Sequence, residues 1–362
     1  MISHLLALCL VAQNPNPTAE RSPWFLIMNV FASQKLNDGY STLDAIPKPV
    51  FVLKYSAKNY QSTLISAVLF HKTEARFRFN DDWHFFAGAE TFVWRGGDSP
   101  RIKGDDLDEY SFSGHRFQIF SGFIKSLGIG TNHYELSMKA LAQYHYYYDR
   151  PGSATFVMPT NAYDVGAHIQ LDGPSRPPSE MNFYGFRPHL MFGAYRRLEH
   201  DSFGVVGFQK KIQSWIEGSA TLHGAVAINK SIVPQFKLTA SFVSDADRLN
   251  AVSNGSLKQE PLGILYGDIK SDRVINGELG FRFHPFESKT FAFRPFAHLL
   301  WYREVTPTLM RSDLGFGAGL KVMGSVGNRF MWNLLYGNIA RNRVDKSMVH
   351  EARVDLSYLF LP

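Results

Sequence analysis

The stretch Thr131 to Tyr148 constrains the fold more than any other. Tyr134, Leu136, Met138, Ala140, Ala142, Tyr144, Tyr146 and Tyr148 share one face of an extended chain, while Glu135, Ser137, Lys139, Gln143 and His145 share the other. A period of two over such a length describes a strand between an apolar and a polar phase. Strands of soluble sandwiches are about half as long. Residues 134–148, at about 3.3 Å each, cross a hydrocarbon layer even when tilted. The tyrosines gather at one end, where an interfacial girdle would lie.

The same pattern recurs. In Gly263 to Phe283, the residues Ile275, Gly277, Leu279, Phe281 and Phe283 oppose Asn276, Glu278, Gly280, Arg282 and His284. Phe236, Leu238, Ala240 and Phe242 oppose Lys237, Thr239 and Ser241, and Leu314, Phe316, Ala318, Leu320 and Val322 oppose Gly315, Gly317 and Gly319. Further strands are expected at Trp24 to Ser33, Val50 to Ala57, Gln61 to Phe70, Glu74 to Phe79, Trp83 to Trp94, His115 to Leu127, Asp164 to Leu171 and Asn182 to Leu198. Others are expected at Phe203 to Trp215, Ser219 to Asn229, Phe291 to Arg303, Arg329 to Ile339 and Glu351 to Leu361. So many strands create an edge hazard that closure removes. The reading is an all-β transmembrane antiparallel barrel of about 16 strands, within a range of about 12 to 16, because bacterial barrels use even numbers. The apolar faces point to lipid, the polar faces line a lumen, and Asp245 to Ser271 is the longest connection.

No later stretch is apolar for long enough to cross as a helix. Leu5 to Ala12 is an apolar run of signal-peptide length, so residues 1–19 read as a signal and 20–362 as one outer-membrane barrel. LALC is similar to a lipoprotein box, but Leu8 stands where a small residue belongs and Cys9 reads as part of the signal core. As Cys9 is the single cysteine, a disulfide framework and a Cys-based metal site are excluded. The net charge of +6 is mild and its Lys and Arg residues are dispersed, which gives no nucleic-acid footprint. No cofactor or metal is called for.

On the inward face, Glu278 and Arg282 lie four residues apart, with Lys270, Asp272 and Arg273 just before them and His298 on the strand that follows. Their functional reading is an electrostatic latch between a lumen loop and the wall, or a constriction selecting ions; the plainer reading is polar lining. GFGAG at 315–319 lies within a strand pattern and is no nucleotide loop. G-x-S-x-G, P-loop, H-E-x-x-H and EF-hand patterns are absent from the sequence. Histidines such as His145, His189, His223, His284 and His298 have no sequential nucleophile and acid beside them, so the expectation is not an enzyme.

LYGD at 265–268, followed by SDRVINGELGFRF, resembles the inward-folding loop and next strand of the BamA/TamA-type surface-antigen barrels. RPFAHLLWYRE, LMRSDLGFGAGLKV, NRFMWNLLYGN and ARVDLSYLF are similar to the family's last strands in order and spacing. The resemblance covers roughly the last hundred residues, and PVFVLKYSAKNYQSTLISAVLF loosely. It implies a lumen-loop motif at Tyr266, Gly267 and Asp268, with Tyr266 standing where the family has arginine. Where the family offers an inward Asp, this chain reads Phe296, Ala297, His298, Leu299. Counterparts of the periplasmic POTRA domains of the assembly proteins are not expected ahead of Trp24. Val354, Leu356, Tyr358 and Phe360 resemble a C-terminal assembly signal, with Leu361 and Pro362 following the aromatic that normally comes last.

The resemblance implies the bacterial outer membrane, with lipid, lipopolysaccharide and the barrel assembly machinery as partners, and a client protein or lipid to insert or translocate. A seam between first and last strands that is weakly paired is expected of an assembly-type barrel, and a fully zipped one counts against it. The first rival is a porin or solute channel. The second is a lipid-modifying enzyme, which requires a His, a Ser and an acidic or amide side chain to converge near the outer leaflet.

Overall fold

The computed structural model describes residues 24–35, 48–67, 70–94, 101–102, 105–106, 112–129, 132–148, 155–174, 183–199, 201–245, 252–254, 269–288, 290–305, 310–327, 329–341 and 348–360. Sixteen strands close into one antiparallel barrel. The first half comprises β1 (Trp24–Lys35), β2 (Lys48–Ser56), β3 (Tyr60–Ala67), β4 (Phe70–Arg78), β5 (Trp83–Trp94), β6 (Ser113–Ile129), β7 (Asn132–Tyr148) and β8 (Ala162–Asp172). The second comprises β9 (Gly185–Glu199), β10 (Ser214–Ala225), β11 (Ile232–Val243), β12 (Ile269–Phe283), β13 (Phe291–Val305), β14 (Met310–Val326), β15 (Phe330–Arg341) and β16 (Met348–Phe360). Each strand pairs with the next, and β16 returns to β1 from Leu26↔Phe360 to Lys35↔Glu351, a run of ten pairs.

Side-chain turns punctuate the ladder. Asn80 Oδ1 accepts from the backbone N–H of Asp82 at 3.0 Å and Trp83 at 2.9 Å, and Asn229 Oδ1 accepts from Ser231 at 2.8 Å and Ile232 at 2.9 Å. Such local bonds give the backbone an alternative to the ladder and fix the hairpin ends. Connections 57–59, 79–82, 130–131 and 327–329 are short and share one end with the start of β1 and the finish of β16. At the opposite end, 95–112, 149–161, 200–213 and 244–268 are long. Outer-membrane barrels have short periplasmic turns and longer extracellular loops, which orients the molecule. Tyr144 packs on Tyr163 at 4.8 Å and Tyr146 on Tyr148 at 6.0 Å towards the extracellular ends of β7 and β8. That is the girdle expected from the sequence.

The outer surface is apolar across the strands. Ile119 on β6, Ile169 on β8, Leu279 on β12 and Phe316 on β14 are each more than half exposed, whereas the inward Gln235, Arg282 and Glu351 are almost wholly covered. A greasy face turned out and a polar one turned in is the reverse of a soluble sandwich, and its partner is acyl chain. The inner wall is not uniformly polar. Val274, Leu300, Tyr302 and Ile339 form one inward cluster, and Phe86, Phe120, Leu141, Tyr195 and Trp215 belong to another.

Glycine lets aromatic rings lie flat on this wall. A Cβ on Gly319 of β14 would come within 2.5 Å of the Phe296 ring, and one on Gly280 of β12 within 2.9 Å of Phe296 Cβ. The inward Phe296 of β13 therefore spreads over both neighbouring strands, which is the close approach that strand glycine permits.

Two expected strands differ. Phe203 to Trp215 is not a barrel strand: Gly204 (φ +119°) and Gly207 (φ +87°) turn the chain, Gly204–Val205 pairs instead with Phe156–Val157, and β10 begins at Ser214. Gln61 to Phe70 is divided, because Ala67 pairs with Phe70 across a two-residue turn and Phe70 opens β4. The connection 244–268 is partly described: Val252–Asn254 pairs with Ile269–Ser271, continuing the β12 ladder past the end of β11.

Candidate functional site

The chemistry-bearing side chains line the lumen, and strand register brings them together. On β12 and β13, Glu278 accepts a charge-assisted bond from Arg294 Nη2; the same guanidinium reaches Gln235 Oε1 of β11 at 3.4 Å and lies 5.4 Å from the Phe296 ring centre. His298 Nε2 is 2.5 Å from Asn276 Oδ1. Asp272 is the extra residue of a bulge, since Ser271 pairs with Glu304 and Arg273 with Arg303. A bulge re-aims a side chain. The buried Asp272 carboxylate takes Arg303 through Nε at 2.7 Å and through Nη2. On β16, Arg353 Nε donates to Glu351 at 2.5 Å.

A second network runs over β4 to β10. Glu74 holds Lys72 at 2.9 Å and Arg76 at 2.7 Å, and Arg76 approaches Glu135 of β7 at 3.9 Å across two intervening strands. Arg116 donates to Glu90 at 2.7 Å. Asp164 of β8 receives Arg197 Nε from β9 at 3.0 Å and has His145 Nε2 of β7 at 3.0 Å. Arg197 in turn lies 4.9 Å from the Trp215 ring centre. The Tyr195 hydroxyl donates to Glu217 at 2.5 Å and meets His168, while its ring stacks on Trp215 at 5.0 Å. Charges in a confined wall are costly unless paired, and these are paired, along β4 at Glu74 and between strands at Glu90, Glu135 and Asp164.

The residues expected at the site fare differently. Tyr266, Gly267 and Asp268 lie outside the described residues, as does the signal segment 1–19. Lys270 contributes a rung opposite Ser253. Arg273 is exposed and pairs with the outward Phe242, so it belongs to the outer face and not to the lumen group. Glu278 and Arg282 do share the inner face, but each goes to its own partner. Arg282 Nη2 donates to the Phe183 carbonyl at 3.0 Å, just ahead of β9. That bond ties β12 to the backbone just ahead of β9. Val354, Leu356 and Phe360 are exposed on the outer face of β16, with Tyr358 against Phe360 at 4.5 Å.

The Asp164, Arg197 and His145 set escaped the sequence. Each residue falls on a polar face there, but their meeting depends on register across strands, which no local motif encodes. Among the described residues the Ser–His–acid convergence is not assembled: Ser66 Oγ meets His71 Nδ1 at 3.0 Å on the outer face of β3 and β4, while the carboxylate partners of His145 and His189 are Asp164 and Asp172 on β8. Nor do the described residues contain a cluster of three or more His, Cys, Asp or Glu placed to hold a metal.

No protein-family model matches this sequence, and no curated protein matches it. Solved structures do. BamA from Haemophilus ducreyi lacking POTRA domains 1–3 superposes with a TM-score of 0.57 at 9% identity, over 94% of this chain and 71% of that one. CdiB from Escherichia coli gives 0.56 at 12% identity over 94% and 64%, and CdiB from Acinetobacter baumannii gives 0.55 at 9% over 93% and 60%. The chain thus spans less than two thirds of the CdiB chains. With its lipid-directed outer surface and its closed ladder, the chain has the fold of an integral β-barrel of the bacterial outer membrane.

Proposed function

We propose that this barrel is a non-enzymatic conduit that passes small polar solutes or ions through its lumen. The observation that supports the reading is the seam. β1 and β16 pair without interruption from Leu26↔Phe360 to Lys35↔Glu351, a longer run than the one between β1 and β2, from Trp24↔Tyr55 to Phe31↔Lys48. A seam paired over this length offers no lateral gap there, which favours the lumen over the wall as a route. The inner face carries both signs, with Arg294 and Glu278 or Arg76 and Glu135 as examples, which suits polar cargo of either charge more than a selective anion or cation filter. Its surroundings would be outer-membrane lipid and lipopolysaccharide, and β16 would be what the barrel assembly machinery reads during biogenesis. Reconstitution into planar bilayers tests the reading: discrete conductance steps are expected, and folded protein that conducts nothing at either polarity overturns it.

A second reading is insertion of a client protein or lipid through a lateral opening. It draws on the fold shared with BamA and on the resemblance of residues 265–283. Val30→Cys with Leu356→Cys places two thiols at directly opposed seam positions, where a disulfide can bridge antiparallel neighbours. Under the conduit reading the crosslink forms and conductance persists. Acceleration of barrel-client insertion into liposomes that disappears on crosslinking would favour the lateral reading instead.

A further inference from the structure

Arg282 stands one residue from the periplasmic end of β12 and is wholly buried. Besides its bond to the Phe183 carbonyl at 3.0 Å, its guanidinium lies 4.9 Å from the centre of the Tyr184 ring. Phe183 stacks on His223 of β10 with centroids 4.3 Å apart, and is buried together with Ala225 of β10 and Val233 of β11. His223, Ala225, Val233 and Arg282 all face inward. The chain just ahead of β9 therefore lies inside the periplasmic mouth, against the three strands that follow β9. It leaves through Gly185, whose φ of +102° is a backbone turn that side chains other than glycine's rarely permit.

From this geometry we infer that Phe183 and Tyr184 form a strap narrowing the periplasmic mouth, that Arg282 is the positioning residue holding it, and that the strap sets the largest solute that passes. The inference rests on the conduit reading for its last step and on the contacts alone for the first two. A guanidinium donating to a backbone carbonyl while its face meets an aromatic ring fixes a segment in position and orientation together. The strap is anchored by burial at Phe183, while Tyr184 is half exposed.

Two measurements on the full-length protein separate the steps. The first is chymotrypsin cleavage after Phe183 or Tyr184, with fragments identified by mass. Arg282→Ala is expected to speed cleavage about ten-fold or more, the size of a lost charge-assisted bond, and Arg282→Lys to restore part of the protection. Folded Arg282→Ala, shown by its heat-dependent gel mobility, with unchanged cleavage overturns the latch. Phe183→Ala gives the same test from the other side should Arg282→Ala fail to fold. The second is conductance with liposome swelling. Released variants are expected to conduct about two-fold more and to admit larger sugars than the wild type. A released strap with conductance and size cut-off both unchanged overturns the constriction. If neither wild type nor a released variant conducts, the conduit reading itself fails.

Discussion

Replacing Arg197 with alanine should destabilise the barrel more than any other single change to the lumen wall of β7 to β10. The Arg197 and Asp164 side chains are 1% and 2% exposed, and Nε stands 3.0 Å from Oδ1. At that separation two unit charges attract by about 5 kcal/mol at an effective dielectric near 20. Much of this is offset by the desolvation both groups have already undergone. Removing one partner leaves a covered carboxylate, and the cost of breaking such a pair is about 3–5 kcal/mol. The lost stacking on Trp215, 4.9 Å away, contributes about 0.5–2 kcal/mol of that. The double variant Asp164→Asn, Arg197→Gln removes both charges and keeps hydrogen-bonding groups in place, so it should lie within about 2 kcal/mol of the wild type. Denaturant unfolding in lipid vesicles, followed by tryptophan emission and heat-dependent gel mobility, reads both. A loss below about 1 kcal/mol for Arg197→Ala, or a double variant as costly as the two singles combined, would refute the reasoning. The pair would then be wall side chains separately solvated by lumen water.

Gly319→Val should cost about 1–3 kcal/mol by overpacking, because its Cβ would stand 2.5 Å from Phe296 Cζ and 2.8 Å from the Tyr336 carbonyl oxygen. Gly277→Ala, whose nearest neighbours are 3.9 Å away, should stay within about 0.5 kcal/mol, and equal losses in the two would count against the flat-ring packing. His284, in the periplasmic turn after β12, is held below its usual 6.5 by burial, with Arg282 adding to the effect and the bond to the Ser288 carbonyl opposing it. The unfolded chain takes up this proton first, so its contribution is present above about pH 6.5 and declines as pH falls towards the lower folded value. His284→Asn should flatten that part of the pH dependence of unfolding, and a slope left unchanged would remove His284 from the account.

Strand identity and facing were legible because they are local. In Tyr134 to Tyr148, Phe236 to Phe242 and Asp313 to Met323, neighbours two apart fix which side is greasy, and the structure places those sides outward. Register was not legible. Asp164 and Arg197 are thirty-three residues apart, and their pairing is set by the hairpin they belong to. The bulge at Asp272 depends on how Ser271 and Arg273 pair with β13, so Ser271 and Asp272 are both buried although they are adjacent, and Arg273 turns outward. Phe203 to Trp215 has a strand-like composition, but Gly204 and Gly207 at positive φ cut it, and glycine in a sequence does not declare which φ it will adopt. Arg282 was readable as an inward side chain, yet its partner Phe183 follows a proline-bearing loop whose destination no periodicity encodes.

Everything here depends on which phase each face of the ladder meets. Spin labels placed singly from Phe236 to Val243, in a background with Cys9 replaced by Ser, measure this directly in lipid vesicles. Collision with oxygen, which partitions into acyl chains, should peak at positions 236, 238, 240 and 242, whose native side chains point outward, and collision with a water-soluble nickel chelate should peak at positions 237, 239 and 241. Loss of that alternation, or oxygen maxima at the odd-numbered positions, would contradict it.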